Sequence, residues 1–444
     1  MKVAVIGSGG REHAISWALA KCPDVEHIIC IPGNGGTANE EKCENIDPAK
    51  CEYTETLVGI DAISRVCAYE KVDFVVCGPE DPLAQGISDQ LWKIGIPVVG
   101  PKAQGAQLEA SKDVAKEFMQ KYGVACAKSV TFTDAKLAHE YIDEQGTPIV
   151  IKADGLAAGK GVVVALDIET AHRAVTDFME DSKLGSAGKK LVIEEYLSGV
   201  EISILAAVSV TEESAANRKA TIVPFVTSRD HKRLLDGAKG PNTGGMGAIA
   251  PVSDVTEEQL SQFKTDILEP TLRGLIAEKM DYRGFIFFGI MLTHSGPKLL
   301  EYNVRLGDPE TQAVLPLMDF DFAAMCKAII DGTLADFSFK WKEGFSCAPV
   351  AVSKGYPADY KKGYKISIDG EKIAKLDGKV FIAGGKMDDN GILVTSGGRV
   401  LAASCTSSTF EQAWQNAYKS LEYINFTDMF YRKDIGLPGA AESL

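Results

Sequence analysis

No apolar run in this chain approaches the ~20 residues that a membrane-spanning helix needs; Phe285–Leu292 is only of strand length. Histidine is scarce, six in 444 residues, and no H-E-x-x-H pattern occurs. The ten cysteines, scattered from Cys22 to Cys405, form no C-x-x-C. A disulfide framework and a zinc site are therefore not expected, and reduced thiols in a cytoplasmic protein are. Any metal should be a hard ion on oxygen ligands. Met1–Ile6 is short, apolar and closed by Gly7, unlike a signal or transit peptide. Positive charge is in deficit, with 47 Lys+Arg against 61 Asp+Glu and a net charge of -14. That balance argues against nucleic acid or an anionic membrane as partner. An anionic ligand would have to be held by local Lys, Arg or backbone N–H groups. Short-period repeats and low-complexity tracts are absent too, which excludes a solenoid.

Hydrophobic residues at 45% and charged residues at 24% are ordinary for a folded chain, and the length suggests two to four domains. The first hundred residues alternate strand and helix. Lys2–Ile6, His27–Ile31, Asp73–Cys77 and Pro97–Val99 read as strands, and Glu12–Lys21 and Leu83–Lys93 as helices. Such alternation predicts a doubly wound parallel sheet with ligands at the carboxyl ends of its strands. Those ends carry the Gly/Pro turns Gly7–Gly10, Pro32–Gly36, Gly78–Glu80 and Gly100–Pro101. After a helix Asp113–Tyr122 the pattern is α+β to about Asn303. It includes a long helical stretch, Thr256–Lys279, and paired strands Gly284–Thr293 and Lys298–Asn303. A helix Asp321–Asp331 leads into a mostly β region with one late helix, Thr409–Tyr423. The expected architecture is an α/β and α+β multidomain chain. It has an N-terminal Rossmann-like unit 1–105, a central unit 106–340 with a flap at about 124–195, a β-rich unit 341–436 and a tail 437–444.

Gly7-Ser8-Gly9-Gly10-Arg11-Glu12 follows a strand and opens a helix, where backbone N–H groups and the helix dipole can hold a phosphate. It is not a dinucleotide fingerprint. Glu12 stands at the third Gly position, and the second strand ends in Pro32-Gly33-Asn34 without an acid for a ribose hydroxyl. A tight turn with no ligand is the other reading. The stretch Ile149–Val164 delivers Lys152 on a strand and Lys160 in a Gly/Ala loop before another strand. Walker A spacing fails, Gly161 stands where Ser or Thr would bind Mg²⁺, and no helix follows. A Gly-rich flap can still close over a triphosphate with both lysines as point charges. Lys160 alone would read as a solvated side chain on a mobile hairpin.

Val192–Leu197 leaves a strand for a polar turn, with Glu201 beyond. Backbone there can read an adenine edge while a carboxylate takes ribose hydroxyls, although solvated acids at a strand end look the same. Asp230–Arg233 and Lys239–Gly247 combine a basic entry with four glycines in the eight residues Gly240–Gly247. Close approach to a ligand and a disordered surface loop both fit that composition. On the strand Leu299–Arg305 a period of two places Glu301, Asn303 and Arg305 on one face. Carboxylate, amide oxygen and guanidinium together suit Mg²⁺ plus a phosphate or carboxylate; a solvent-facing strand edge is the alternative. Gly307-Asp308-Pro309-Glu310 follows as a turn.

Together these segments make the chain resemble the glycinamide ribonucleotide synthetase (phosphoribosylamine–glycine ligase) family, ATP-grasp enzymes of purine biosynthesis. The resemblance runs from Gly7–His13 and Pro32–Asn34 through Gly78–Glu80, Lys152–Gly161, Asp230–Arg233, Gly240–Gly247 and Asn303–Glu310. It continues to Lys354–Pro357, Gly397–Leu401 and Tyr431–Gly436. Gly240–Gly247 and Gly307–Glu310 are its most specific parts. The resemblance implies a central ATP-grasp fold. It also implies ligation of glycine to 5-phosphoribosylamine, with ATP cleaved to ADP and phosphate, through a glycyl phosphate.

By the same resemblance Lys112, Lys152, Lys160 and Gly161 would contact ATP phosphates. Glu194, Glu195 and Leu197 would frame adenine, Glu201 the ribose, and Glu301 and Asn303 would hold Mg²⁺ or Mn²⁺. Gly9, Gly10, Arg11 and Glu12 would face phosphoribosylamine, with Asn34, Glu80, Gly244 and Gly245 near the substrates. Asp230, Lys232, Arg305 and Asp308 would line the glycine and acyl-transfer region, sharing the catalytic work with Lys152 and Lys160. The partners would be small molecules, and the protein a cytoplasmic monomer or the first domain of a larger purine-synthesis polypeptide. Two other readings remain at this point. Another ATP-grasp carboxylate–amine ligase would not need Gly240–Gly247, and a non-catalytic nucleotide sensor would not need Glu301.

Overall fold

The computed structural model describes residues 1–156, 161–181 and 183–441. Its N-terminal sheet has five parallel strands in the order Cys43–Asn45, His27–Pro32, Lys2–Gly7, Phe74–Cys77, Val98–Val99. Val3, Ala4 and Val5 of the middle strand are fully buried, so both faces are covered, as a parallel sheet requires. The chain winds outward through the second and third strands, then crosses to the other side for the fourth. The carboxyl ends of Lys2–Gly7 and Phe74–Cys77 therefore form the switch point, where the Gly7–Gly10 and Gly78–Glu80 turns meet around the Glu12 side chain.

The body is a larger sheet. Its path runs Gly296–Asn303, Tyr282–Thr293, Val200–Val210, Thr221–Asp230, Gly247–Ala250, Phe345–Ser353, Arg399–Ser407, Gly378–Ile382. The expected hairpin is present as Tyr282–Thr293 with Gly296–Asn303. This sheet passes unbroken from the central region into the third, because Gly247–Ala250 pairs with Phe345–Ser353. The Gly100 N–H donates to the Arg283 carbonyl at 2.7 Å and fastens the N-terminal sheet to the body. One core continues beneath both, joining Val5 and Phe74 to Phe285 and Leu306. A separate four-stranded sheet, Ser129–Phe132, Leu191–Glu195, Ile149–Ala153, Val162–Ala165, has its own core of Ile149, Ile151 and Ile193. No helix among the described residues is long and apolar enough to cross a membrane.

Two helices differ from the sequence reading. Leu83–Lys93 is two helices, Glu80–Ala84 and Ile87–Lys93, because Gly86 between them takes φ +89°. Thr256–Lys279 is Glu257–Phe263 and Glu269–Ala277 around a π-turn at Lys264–Leu268. Pro270 has no N–H for the Asp266 carbonyl four residues back. That carbonyl instead accepts from the Ala125 N–H at 2.8 Å, which ties the flap entrance to the body.

The segment after the last long helix locks the Gly-rich connection. Arg432 is fully buried, pairs with Asp434 at 2.8 Å and donates to the Arg233 and Ala440 carbonyls at 3.0 and 2.7 Å. Beside it His231 accepts at Nε2 from the Gly436 N–H, 3.0 Å away, so Nδ1 carries the proton toward the Gly247 carbonyl at 3.1 Å. Burial, and then the Arg432 charge, push its pKa down to about 4. An unfolded histidine titrates near 6.5, so the unfolded chain takes the proton first. The stabilisation is complete above pH ~6.5 and is lost as the pH falls through about 4. Denaturant midpoints should show about 2 kcal/mol more lost between pH 7 and pH 5 in the natural protein than in His231→Gln. Equal losses in the two proteins would refute this assignment.

Candidate active site

The flap sheet buries one face in its own core and turns the other toward the body. On that second face Lys152, Val162 and Val192 share a register position, beside Val150, Val164 and Glu194. Val162 and Val164 are more than a third exposed, leaving an apolar floor beside the charged groups. The Lys152 ammonium lies 3.0 Å from Glu194 Oε1 and donates to the Leu300 carbonyl across the cleft at 3.3 Å. Glu194 Oε1 is also 3.2 Å from the buried Lys116 ammonium. Glu195 accepts from the Lys128 N–H at 2.8 Å. The carboxylates expected to frame adenine thus have charged or backbone neighbours within the protein, and the chain leaves the sheet ladder at Tyr196 and Leu197. Lys112 donates to the Gly155 carbonyl at 3.0 Å. The Gly161 carbonyl accepts from the Ala153 N–H at 2.7 Å, and Lys160 lies outside the described residues. Glu201, expected at the ribose, is paired with Lys232.

On the body side, burial works against the charge of Glu301, but Lys232, Lys152 and Lys112 outweigh it and hold its carboxyl below the ordinary range. The three residues expected on one face form a chain. The Asn303 amide donates to Glu301 at 3.4 Å, and the Asn303 oxygen accepts from Arg305 at 3.0 Å. Among the described residues no cluster of three His, Cys, Asp or Glu could hold a metal ion. One carboxylate and one amide oxygen nevertheless fit Mg²⁺, which keeps its other positions for water and substrate phosphates.

At the switch point the residues expected to contact substrate also bond to one another and to the body. Gly9 N–H donates to Glu12 Oε2 and Arg11 Nε to Glu12 Oε1, both at 2.5 Å. Arg11 also donates to the Leu306 carbonyl at 3.1 Å. Both side chains are buried, so they clamp the turn to the body. A Cβ on Gly10 would press on the Gln312 amide, so this glycine is needed for packing. Asn34 donates to the Ser8 and Ile382 carbonyls at 2.9 and 2.8 Å and accepts from the Gly36 and Thr37 N–H groups at 2.7 and 3.1 Å. That exhausts its amide and makes it a tether to the third region. Glu80 stays partly exposed. Burial opposes its charge, but Arg305 and Arg11 hold its carboxyl low.

The Gly-rich connection packs onto the Gly307–Glu310 turn. Gly245 has φ +113°, and a Cβ there would sit 2.5 Å from Pro309 and 2.6 Å from Asp230, so only glycine fits. Asp230 accepts from the His231 N–H at 2.7 Å, and Glu310 accepts from the Ser203 hydroxyl at 2.9 Å. Burial and then their mutual repulsion raise Asp230 well above the ordinary carboxylate range, and burial raises Glu310. Lys232 is pushed the other way. Burial opposes its charge, but Glu201, Glu301 and Asp230 keep it firmly cationic. The Asp308 carboxylate accepts from the Arg11 backbone N–H at 3.4 Å and pairs with Arg399 at 3.3 Å, and Arg399 donates to the Asp308 and Gly244 carbonyls at 2.8 and 2.5 Å. Burial opposes the Asp308 charge, but Arg399 and Arg11 hold it ionised.

Sequence reasoning assigned no role to Lys116, Glu109, Glu310 or Arg399. Lys116 follows Lys112 by one helical turn, a usable signal. Glu310 and Arg399 lie inside segments already singled out. Glu109 gave no signal. Burial, which outweighs the opposing Arg305 charge, pushes its pKa up to about 7.

Three family models match the chain. They are phosphoribosylglycinamide synthetase, N domain, over residues 1–109; its ATP-grasp (A) domain over 110–311; and its C domain over 346–438. A phosphoribosylamine–glycine ligase of Clostridium acetobutylicum is 49% identical over 436 residues, 98% of this chain and 99% of that one. One from Neisseria meningitidis serogroup A is 43% identical, covering 98% of each chain. A crystal structure of a Thermotoga maritima phosphoribosylamine–glycine ligase superposes with a TM-score of 0.82 at 33% identity, covering 98% of this chain and 100% of that one. The biotin carboxylase domain of a Hydrogenobacter thermophilus 2-oxoglutarate carboxylase, solved with MgADP and bicarbonate, shares the fold. Its TM-score is 0.72 at 15% identity, covering 97% of this chain and 91% of that one.

Proposed function

The chain belongs to the phosphoribosylglycinamide synthetase family, and from that premise we infer that it ligates glycine to 5-phosphoribosylamine, giving glycinamide ribonucleotide, ADP and phosphate for purine biosynthesis. The observation that carries this reading is the junction at Asp308. There a turn of the central region is held by Arg11 from the first helix of the N-terminal unit and by Arg399 from the third region. A reaction of three substrates needs one site where such parts meet. We keep the working units at 1–105, 106–340 and 341–436.

A carboxylate is a poor acyl donor, and a free amine will not displace its oxygen. Phosphorylating the glycine carboxylate supplies a leaving group, after which the amine attacks the glycyl phosphate. In this reading Lys112, Lys152, Lys160 and Gly161 hold the ATP phosphates over the apolar floor of Val162 and Val164. The backbone at Tyr196–Leu197 takes the adenine edge, and Glu201 turns from Lys232 to the ribose. Glu301 and Asn303 hold Mg²⁺, which when bound neutralises charge on the transferring phosphoryl group. Asp230 and Glu310 take the ammonium of glycine, and Arg305 its carboxylate end. Lys232 steadies charge at the phosphoryl-transfer point. Gly9, Gly10 and Glu80 face the sugar phosphate at the switch point, with Gly244 and Gly245 closing the acyl-transfer region. The flap must exclude water, or the acyl phosphate hydrolyses.

Oxygen tracing tests the chemistry. If the carboxylate attacks the γ-phosphorus, one carboxylate oxygen leaves with phosphate. Glycine with heavy oxygen in its carboxylate should pass one labelled oxygen into inorganic phosphate per turnover. Unlabelled phosphate would exclude this route. Turnover with another acid but none with glycine would favour a different carboxylate–amine ligase.

A further inference from the structure

We infer that Glu109 is a positioning residue for this ligation, a single carboxylate that fixes the Arg305 guanidinium beside Asn303. The inference rests on the ligation reading above. Glu109 is the penultimate residue of the helix Ala103–Ala110, and its side chain is 7% exposed. Its two oxygens are divided between consecutive residues. Oε2 accepts from the Val304 N–H at 2.7 Å, and Oε1 from Arg305 Nη2 at 2.8 Å. The segment that leaves Asn303 is therefore pinned at its backbone and at its guanidinium by one group.

The geometry of Arg305 shows what that pin decides. Nη2 also donates to the Asn303 oxygen at 3.0 Å, Nε donates to Glu80 at 3.3 Å, and Nη1 to the Leu306 carbonyl at 3.4 Å. A guanidinium has five N–H groups. Among the described residues four are engaged, and the one left on Nη1 is aimed by the other four. Glu80 comes from the switch-point turn and Asn303 from the body sheet. Without Glu109, among the described residues only the neutral Asn303 and Leu306 oxygens oppose the pull of the Glu80 carboxylate, and the guanidinium can swing away from Asn303. Lysine could not replace this planar fork.

Glutamine at 109 keeps the volume and one acceptor. Its amide NH₂ must then face either the Val304 N–H or the Arg305 guanidinium, donor against donor. Glu109→Gln should therefore lower kcat about 30-fold while leaving the KM for ATP within about threefold, because the nucleotide groups are untouched. In an Arg305→Lys background, where the fork is already gone, the same change should cost less than about threefold. A purely structural role would lower both backgrounds equally and move the melting temperature. Turnover by the natural protein is measured first with glycine, phosphoribosylamine and MgATP. Its absence would overturn the ligation reading. If the natural protein turns over and Glu109→Gln matches it, or costs as much in the Arg305→Lys background, the positioning role alone is overturned. Should Glu109→Gln not fold, Glu109→Asp, one methylene too short to reach both partners, replaces it with the same expected split between kcat and KM.

Discussion

Turnover by Glu301→Gln is expected to fall by about three orders of magnitude in a protein that still folds. Glu301 is the one carboxylate of the oxygen pair proposed to hold Mg²⁺, and three lysines keep it ionised. Glutamine preserves the shape but removes the charge that would bind the ion against those lysines. Losing metal-assisted stabilisation of the transferring phosphoryl group costs about 4 kcal/mol, which is the expected drop. The fold should survive, because among the described residues the side chain makes one hydrogen bond, a 3.4 Å contact from Asn303 that a glutamine oxygen can also accept. The measurement is kcat at saturating Mg²⁺, together with a thermal melt. Near-normal turnover in a folded variant would remove Glu301 from the metal site and favour the Asp230–Glu310 pair as its replacement.

The parts legible in the sequence are those whose chemistry is local. Gly/Pro turns at strand ends announce the switch point, because a parallel sheet needs tight exits there. A period of two sets Glu301, Asn303 and Arg305 on one face, and the hydrogen-bonded chain among them follows directly. Side-chain partners are another matter. Glu194 looks like a free acid at a strand end, yet it meets Lys116 and Lys152, which arrive from other elements. Asn34 looks like a ligand group in a glycine turn. A carbonyl 348 residues away, Ile382, takes one of its hydrogen bonds and ties the turn to the third region. Glu109 carries no local signal at all, because its meaning depends on Arg305, 196 positions later. The break at Pro270 could have been foreseen, since its missing N–H frees a carbonyl whatever the tertiary partner. The identity of that partner, Ala125, could not.

Asp230→Asn should raise the KM for glycine about 100-fold and leave that for ATP nearly unchanged. Asp230 and Glu310 are two desolvated carboxylates close enough to repel, and both titrate above their ordinary range. Mutual repulsion in such a pair favours binding of a proton or of a cation in its place. The ammonium of glycine is that cation in the proposed reading. In that reading the pair would also keep glycine's own amine protonated and unable to compete with phosphoribosylamine for the acyl phosphate. Asparagine removes one charge but keeps an oxygen for the His231 N–H, now 2.7 Å away, so the loop should hold its shape. Losing a charge-assisted contact to a buried ammonium costs about 3 kcal/mol, close to the stated factor. Calorimetry in buffers of different ionisation enthalpy gives a second readout. Glycine binding should release more protons from the natural protein than from the variant. Unchanged glycine affinity together with unchanged proton release would mean that the ammonium lies elsewhere, and Glu80 at the switch point would be the next carboxylate to replace.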